Sequence, residues 1–215
     1  MKIGVLGTGV VGTTIGAKLV HLGHEVMMGS RTKNNGKAAA WAKATGPKAS
    51  HGTFADAAQF GETLFNCTSG IASVDALKLA GAANLKGKVL LDIANPLDFS
   101  KGMPPILSLC NTDSLGEQIQ RTFPDVKVVK TLNTMSCNIM VNPSQLPGEH
   151  DVFVSGNDRV AKAKVTEILK GWFGWKSVID LGDITAARGT EQILALWVRL
   201  MGTLGTANFN VKIVR

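Results

Sequence analysis

The stretch Lys2-Ile3-Gly4-Val5-Leu6-Gly7-Thr8-Gly9-Val10-Val11-Gly12-Thr13-Thr14-Ile15-Gly16 decides how this chain is read. Lys2–Leu6 is a short apolar run that reads as a buried strand. Val10–Leu22 reads as a helix, closed by Gly23. Between them, Gly7-Thr8-Gly9-Val10-Val11-Gly12 satisfies G-x-G-x-x-G. The pattern alone is weak in a chain with 24 glycines among 215 residues. Its place, after a strand and opening a helix, is what gives it weight. Gly7 permits the tight turn, Gly9 lets backbone approach a pyrophosphate, and Gly12 lets helix pack on strand, with Gly16 extending that contact. The start of the helix adds unpaired N–H groups and the positive end of a dipole.

Outward from this motif, strands and helices alternate. Glu25–Met28, Thr63–Cys67, Lys88–Asp92, Val126–Thr131, Asp151–Ser155 and Ser177–Leu181 read as strands. Asn35–Ala44, Val74–Ala82, Ser114–Phe123, a segment from Asp158 to about Lys170, and Thr185–Thr203 read as helices. Thr53-Phe-Ala-Asp56 has the capping-box pattern before a further short helix. Such alternation predicts an α/β fold, a mostly parallel sheet with helices on both faces. The least regular stretch is Ala94–Asn111, and a loop of that length in a compact domain is usually functional.

Composition narrows the function classes. Hydrophobic residues make up 45% of the chain and charged residues 18%, which is globular composition. Tyr is absent and aromatics are 6%, which argues against a stacking platform for nucleic acid. No run of 18 apolar residues predicts a membrane span. The apolar N-terminus is followed at once by Lys18, His21 and His24, which argues against a signal peptide. Cys67, Cys110 and Cys137 are odd in number and widely spaced, so neither a disulfide framework nor a zinc site is expected, and a reducing cytoplasm suits them. The four histidines have no metal-ligand spacing. Net charge is +7, and residues 1–50 hold seven basic residues against one acid, Glu25. That segment is suited to an anionic partner.

The end of the second strand says which one. Where an NAD-binding protein carries an acid for the ribose 2′-hydroxyl, this chain reads Met28-Gly29-Ser30-Arg31-Thr32-Lys33. An acid there would repel a 2′-phosphate. Arg31 can grip one with its fork, Ser30 can donate a hydroxyl, and Lys33 adds a point charge, with Lys37 one helical turn on. NADP(H) is therefore expected over NAD(H). Ligands of such sheets lie beyond the C-terminal ends of the strands. Three ends offer suitable groups: Cys67-Thr68-Ser69-Gly70, Asp92-Ile-Ala-Asn95-Pro96, and Lys130-Thr-Leu-Asn133-Thr134-Met135. Asn95 and Asn133 are candidates for a carboxamide or ribose hydroxyl, Pro96 and Met135 for walls of the nicotinamide ring. No catalytic acid or base and no metal ligand is expected, because hydride transfer between stacked rings needs position and exclusion of water.

VLGTGVVGTTIGAKLVHLGHEVMMGSR, VLLDIANPLDFSKGMPP, VVKTLNTMS and DLGDITAARGTEQ together resemble the coenzyme F420-dependent NADP oxidoreductases over nearly the whole chain. The GSR and IANP elements are also similar to the reductase domain of the STEAP metalloreductases. The resemblance implies a Rossmann-type doubly wound sheet (residues 1–182) with a small C-terminal helical lobe (183–215) that closes the acceptor site and carries the contact of a homodimer. It implies hydride transfer between nicotinamide C4 and the C5 of a deazaflavin, coenzyme F420, as the small-molecule redox acceptor. It places Thr8, Ser30 and Arg31 at the 2′-phosphate, the Gly7–Gly12 loop at the pyrophosphate, and Pro96, Asn133 and Met135 near the nicotinamide. The family's basic residue four places after the Arg is Asn35 here, which passes that contact to Lys33 or Lys37. Alternatives on the same cofactor are another acceptor (flavin, ferric chelate or imine) and a non-catalytic NADP(H) sensor.

Overall fold

The computed structural model describes residues 1–215. The chain runs β1 (Lys2–Leu6), α1 (Val10–His21), β2 (Glu25–Ser30), α2 (Gly36–Thr45), β3 (Ala49–Thr53), α3 (Phe54–Phe60), β4 (Thr63–Asn66), α4 (Gly70–Ala80), α5 (Ala82–Leu85) and β5 (Val89–Asp92). It continues through β6 (Leu97–Asp98), β7 (Ile106–Leu107), α6 (Leu115–Thr122), β8 (Lys127–Thr131), α7 (Cys137–Val141), β9 (Asp151–Ser155), α8 (Arg159–Ile168), β10 (Ser177–Asp180) and α9 (Ala187–Leu204). Eight strands form one sheet in the order β10-β9-β8-β5-β4-β1-β2-β3. Every neighbouring pair is parallel except β8 with β9, where Lys130 faces Ser155 and Thr131 faces Val154 in antiparallel register. This is a Rossmann-type doubly wound sheet.

Strand alternation divides the core between the two faces. Ile3, Val5, Leu91 and Val129 pack on one side with α1, where Ile15 and Leu19 are fully buried. Leu6, Leu64, Leu90 and Val128 pack on the other, with Phe54 of α3 and Leu77 of α4. Helix starts follow local chemistry. Thr53 Oγ1 accepts from Asp56 N while Asp56 Oδ2 accepts from Thr53 N, completing the capping box of α3. Asp158 Oδ1 accepts from Ala161 N at the start of α8.

The structure departs from the sequence reading in several places, among them the short helices α5 and α7, which it adds. Ala49–Thr53 forms an edge strand, β3, paired with β2 over five residues. Its sequence, Ala-Ser-His-Gly-Thr, lacks the apolar run by which a strand is recognised, and its pairing rests on backbone bonds at a sheet edge. The irregular stretch holds a two-residue hairpin, β6 with β7. Helix α4 starts at Gly70, four residues before the expected Val74.

The last helix is tied back to α6 by charge. Arg188 on α9 donates from Nε to Glu117 Oε2 at 2.8 Å and from Nη2 to Oε1 at 2.5 Å. Ser114 Oγ donates to the same carboxylate at 2.8 Å. These bonds, Arg188's foremost, hold the Glu117 carboxyl below the usual carboxylate range. The folded state therefore favours ionised Glu117. Its contribution is complete above the ordinary Glu pKa of about 4.3 and is lost as pH falls below it. Thermal melts are expected to give a flat Tm between about pH 6 and 8 and a fall below about pH 4.5. Glu117→Gln lowers Tm at neutral pH by a few degrees and makes the acid fall shallower; an unchanged acid slope refutes the assignment.

Candidate functional site

The first turn of α1 is open. Its N-cap residue is Gly9, extended at φ −76° and ψ 179°, with no side-chain cap and no acid in the turn that follows. A Cβ built on Gly12 would lie 2.1 Å from the Gly7 carbonyl oxygen, so helix and turn meet too closely for any side chain. Gly7 sits at φ +121° and would clash with the Cys67 backbone at 2.5 Å. Gly9 differs from both: its conformation suits any residue, and no protein atom lies within 4 Å of where its Cβ would be. Packing does not explain that glycine. An approaching ligand backed by the free N–H groups of the helix start does.

The space above Gly9 belongs to a cleft of about 490 Å³. Gly7, Thr8 and Gly9 line one end, and Cys67, Thr68 and Ser69 one wall. Phe54, Arg31 and residues of α4, including Ala76 and Asp75, which pairs with Lys78, complete it. Arg31 is exposed and enters none of the ion pairs of the molecule, so its guanidinium is available to an anion. Ser30 is buried and donates its hydroxyl proton to the Thr32 carbonyl at 2.5 Å, shaping the turn that presents Arg31. Lys33 lines a separate hollow with His51, Asp56 and Phe60. Asp56 is held low mainly by the hydrogen bonds of Thr53, with a smaller contribution from Lys33. Asn35 is the N-cap of α2, its Oδ1 accepting from Ala38 N at 3.0 Å. Val10 is exposed and Val11 half-buried on α1. The Cys67 thiol is pushed up by burial and by the charge of Asp92, so it stays protonated and offers no thiolate.

The strand ends expected at the nicotinamide converge on each other. Asn95 Nδ2 donates to the Asn133 carbonyl at 2.7 Å, and Asn133 Nδ2 donates to Asn95 Oδ1 at 2.9 Å and to the Thr190 carbonyl at 2.8 Å. Both donors of the buried Asn133 amide are thus committed to protein. The pair fastens β5, β8 and α9 together. Leu132, just before Asn133, is held at φ +60°, a region that costs a branched residue energy. Pro96 and Met135 are buried beside this junction. Gly70 is required here as well: its Cβ would meet the Asn95 carbonyl oxygen at 2.0 Å.

Beneath the junction lies a charged cluster that the sequence reading missed. Lys130 Nζ is fully buried and donates to Asp92 Oδ2 at 2.9 Å, Glu191 Oε1 at 2.7 Å and the Ala94 carbonyl at 2.5 Å. Asp92 Oδ1 also accepts from Asn66 Nδ2, and Asn66 Oδ1 accepts from Thr68 Oγ1 in the cleft wall. Glu191 accepts from the backbone N–H groups of Leu115 and Gly116 at the start of α6. Facing two carboxylates, Lys130 is held above the usual lysine range despite its burial. The signal in the sequence was a charge inside an apolar strand, Val128-Val129-Lys130, and another in Leu90-Leu91-Asp92.

Sheet, glycine turn and free arginine define a Rossmann-type dinucleotide-binding protein. Comparison with known proteins narrows this. The family described as NADP oxidoreductase, coenzyme F420-dependent, matches residues 2–96. The crystal structure of a candidate F420-dependent NADP-reductase from Arthrobacter sp. FB24 is 56% identical, covers 100% of both chains and superposes with a TM-score of 0.95. An F420-dependent NADP reductase of Methanothermobacter marburgensis is 29% identical across 93% of this chain and 92% of its own length. Rat metalloreductase STEAP3 is 28% identical over 89% of this chain, which spans 36% of that longer protein. The chain belongs to the coenzyme F420-dependent NADP oxidoreductase family. No helix is long and apolar enough to cross a membrane.

The open space at Gly9 makes a direct prediction. Gly9→Val is expected to keep its circular dichroism spectrum and its Tm within a few degrees, because no neighbour is displaced. Titration with NADPH is expected to show binding weakened by about tenfold or more, since the isopropyl group occupies the pyrophosphate path. Undiminished binding refutes the cradle.

Proposed function

We propose that this chain transfers a hydride between NADP(H) and a deazaflavin, coenzyme F420. The observation that carries the reading is the cleft running from the bare backbone of Gly9 to the unpaired Arg31, in a chain of this family. The bound pair supplies the redox chemistry, a hydride passing between nicotinamide C4 and deazaflavin C5. The protein binds, orients and excludes water. The Gly7–Gly12 loop cradles the pyrophosphate, with the amides after Gly7, whose own N–H donates to the Gly29 carbonyl. Arg31 and Thr8 meet the 2′-phosphate, with Ser30 aiming the arginine, and Lys33 or Lys37 adding long-range charge. Ser69 and Thr68 border the ribose, while Pro96 and Met135 wall the ring. Asn95 and Asn133 set the position of that wall through each other. Residues 183–215 form the lobe that closes the acceptor side. Its helix α9 leaves Leu196 and Leu204 more than half exposed, which favours it as the contact of a homodimer. The three cysteines are free, which suits a reducing cytoplasm.

Arg31→Ala is expected to weaken NADPH binding by about 1.5–3 kcal/mol, roughly 10- to 150-fold, and NADH binding much less. Equal losses for both refute the 2′-phosphate assignment. The defining assay mixes purified protein, NADPH and oxidised F420 and follows loss of the deazaflavin's visible absorption. Bleaching with NADPH and not with NADH supports the reading. Turnover with FMN or ferric chelate alone replaces the acceptor, and binding without turnover of any acceptor replaces the enzyme with a sensor.

A further inference from the structure

The buried cluster around Lys130 carries more negative than positive charge. Both Asp92 oxygens face donors: Oδ1 accepts from Asn66 Nδ2 and Ala94 N, and Oδ2 from Lys130. Both Glu191 oxygens do the same, Oε2 accepting from Leu115 N and Oε1 from Gly116 N and Lys130. Every oxygen of the two carboxyl groups thus accepts from at least one N–H, the arrangement that suits carboxylates. Lys130 uses its three N–H bonds on Asp92, Glu191 and the Ala94 carbonyl, so it is an ammonium ion. The cluster holds two negative charges and one positive, all on side chains that are 0–2% exposed. The nearby pairs Glu117–Arg188 and Asp113–Arg121 are each neutral. The start of α6 offsets part of the excess through its dipole, by about half a charge at most.

The place of this excess matters. Lys130 bonds the carbonyl of Ala94, the residue that precedes Asn95-Pro96, and the strand carrying Lys130 ends at Thr131, two residues before Asn133 and four before Met135. The cluster therefore lies directly under the nicotinamide wall of the proposed site. Hydride transfer removes two electrons and one proton from dihydronicotinamide C4 and leaves that ring a cation. The acceptor gains the hydride at C5 and takes one proton from solvent, which balances the reaction. A neutral ring gains little from a buried negative charge, whereas a cationic ring gains by Coulomb attraction that salt screens poorly.

We propose that the Asp92–Lys130–Glu191 cluster tunes the bound cofactor couple, its excess negative charge favouring NADP+ relative to NADPH. The inference rests on the reading above, that the nicotinamide sits beyond β5 and β8. These residues touch neither ring; they act through charge at a distance.

The test is binding, not turnover. Dissociation constants for NADP+ and for NADPH are measured by direct titration at pH 7.5 in the wild type and in Glu191→Gln. One unit of charge at about 10 Å, with an effective dielectric between 20 and 80, shifts the ratio Kd(NADP+)/Kd(NADPH) upward by roughly 2- to 20-fold. A tenfold change corresponds to about 30 mV in the potential of the bound couple. Asp92→Asn removes the same charge from the other side of Lys130 and serves if Glu191→Gln does not fold. Glu191→Asp separates charge from structure. It shortens the side chain and disturbs the same bonds yet keeps the charge, so the ratio is expected to stay near the wild-type value. An unchanged ratio in a folded Glu191→Gln overturns the proposal, as does a Glu191→Asp whose ratio shifts as far as that of Glu191→Gln. Failure of the wild type to bind either form overturns the proposed function instead.

Discussion

A lysine without access to water constrains the rest of this molecule. Removing an ammonium ion from water costs several kcal/mol after relaxation, and only excellent geometry offsets it. Lys130 has that geometry: three donors, three acceptors, two of them carboxylates. The partners join two distant parts of the chain to the strand that carries Lys130. Asp92 ends β5, Ala94 leads into the loop at the nicotinamide wall, and Glu191 sits in the second turn of α9. None of these segments can shift without leaving a buried charge unpaired. The same demand reaches outward, because Glu191 also receives the first amides of α6 and Asp92 receives Asn66 next to the cleft. The strand ends are held together by polar bonds where apolar packing would not define one arrangement.

The cofactor end is built differently, by exclusion of side chains. Gly7 and Gly12 have no room for a Cβ, while Gly9 has room that the protein leaves empty. Tight closure on two sides and open backbone on the third produce a row of amides facing the cleft. Arg31 lines the same cleft, carried by the turn that Ser30 closes on Thr32. A rigid backbone cradle and an unpaired charge in one cleft suit a ligand that is long and anionic.

Much of this was legible in the chain itself. The β1–α1–β2 unit follows from an apolar run, three spaced glycines and a helical period, all local. The missing acid after β2 and the presence of Arg31 were visible at fixed spacing from that motif. Lys33 was equally visible, yet its side chain lines the hollow beside Asp56 and not the cleft. Spacing along a loop does not say which side of the sheet edge a side chain will take. β3 was not visible, because an edge strand needs a partner's backbone more than apolar side chains of its own. Asn95 and Asn133 were singled out as candidates for cofactor contacts; the structure bonds them to each other, 38 residues apart in sequence.

The sequence by itself determined the alternation of strands and helices, the phosphate turn and the charge at the end of β2. Periodicity, glycine geometry and charge act over a few residues, and a few residues are enough to read them. Tertiary structure alone decided which buried charges meet. Lys130, Asp92 and Glu191 lie in three separate segments, and a lone charge in an apolar strand has no partner that local sequence can name. Only the folded sheet, by excluding water from all three at once, makes their pairing obligatory.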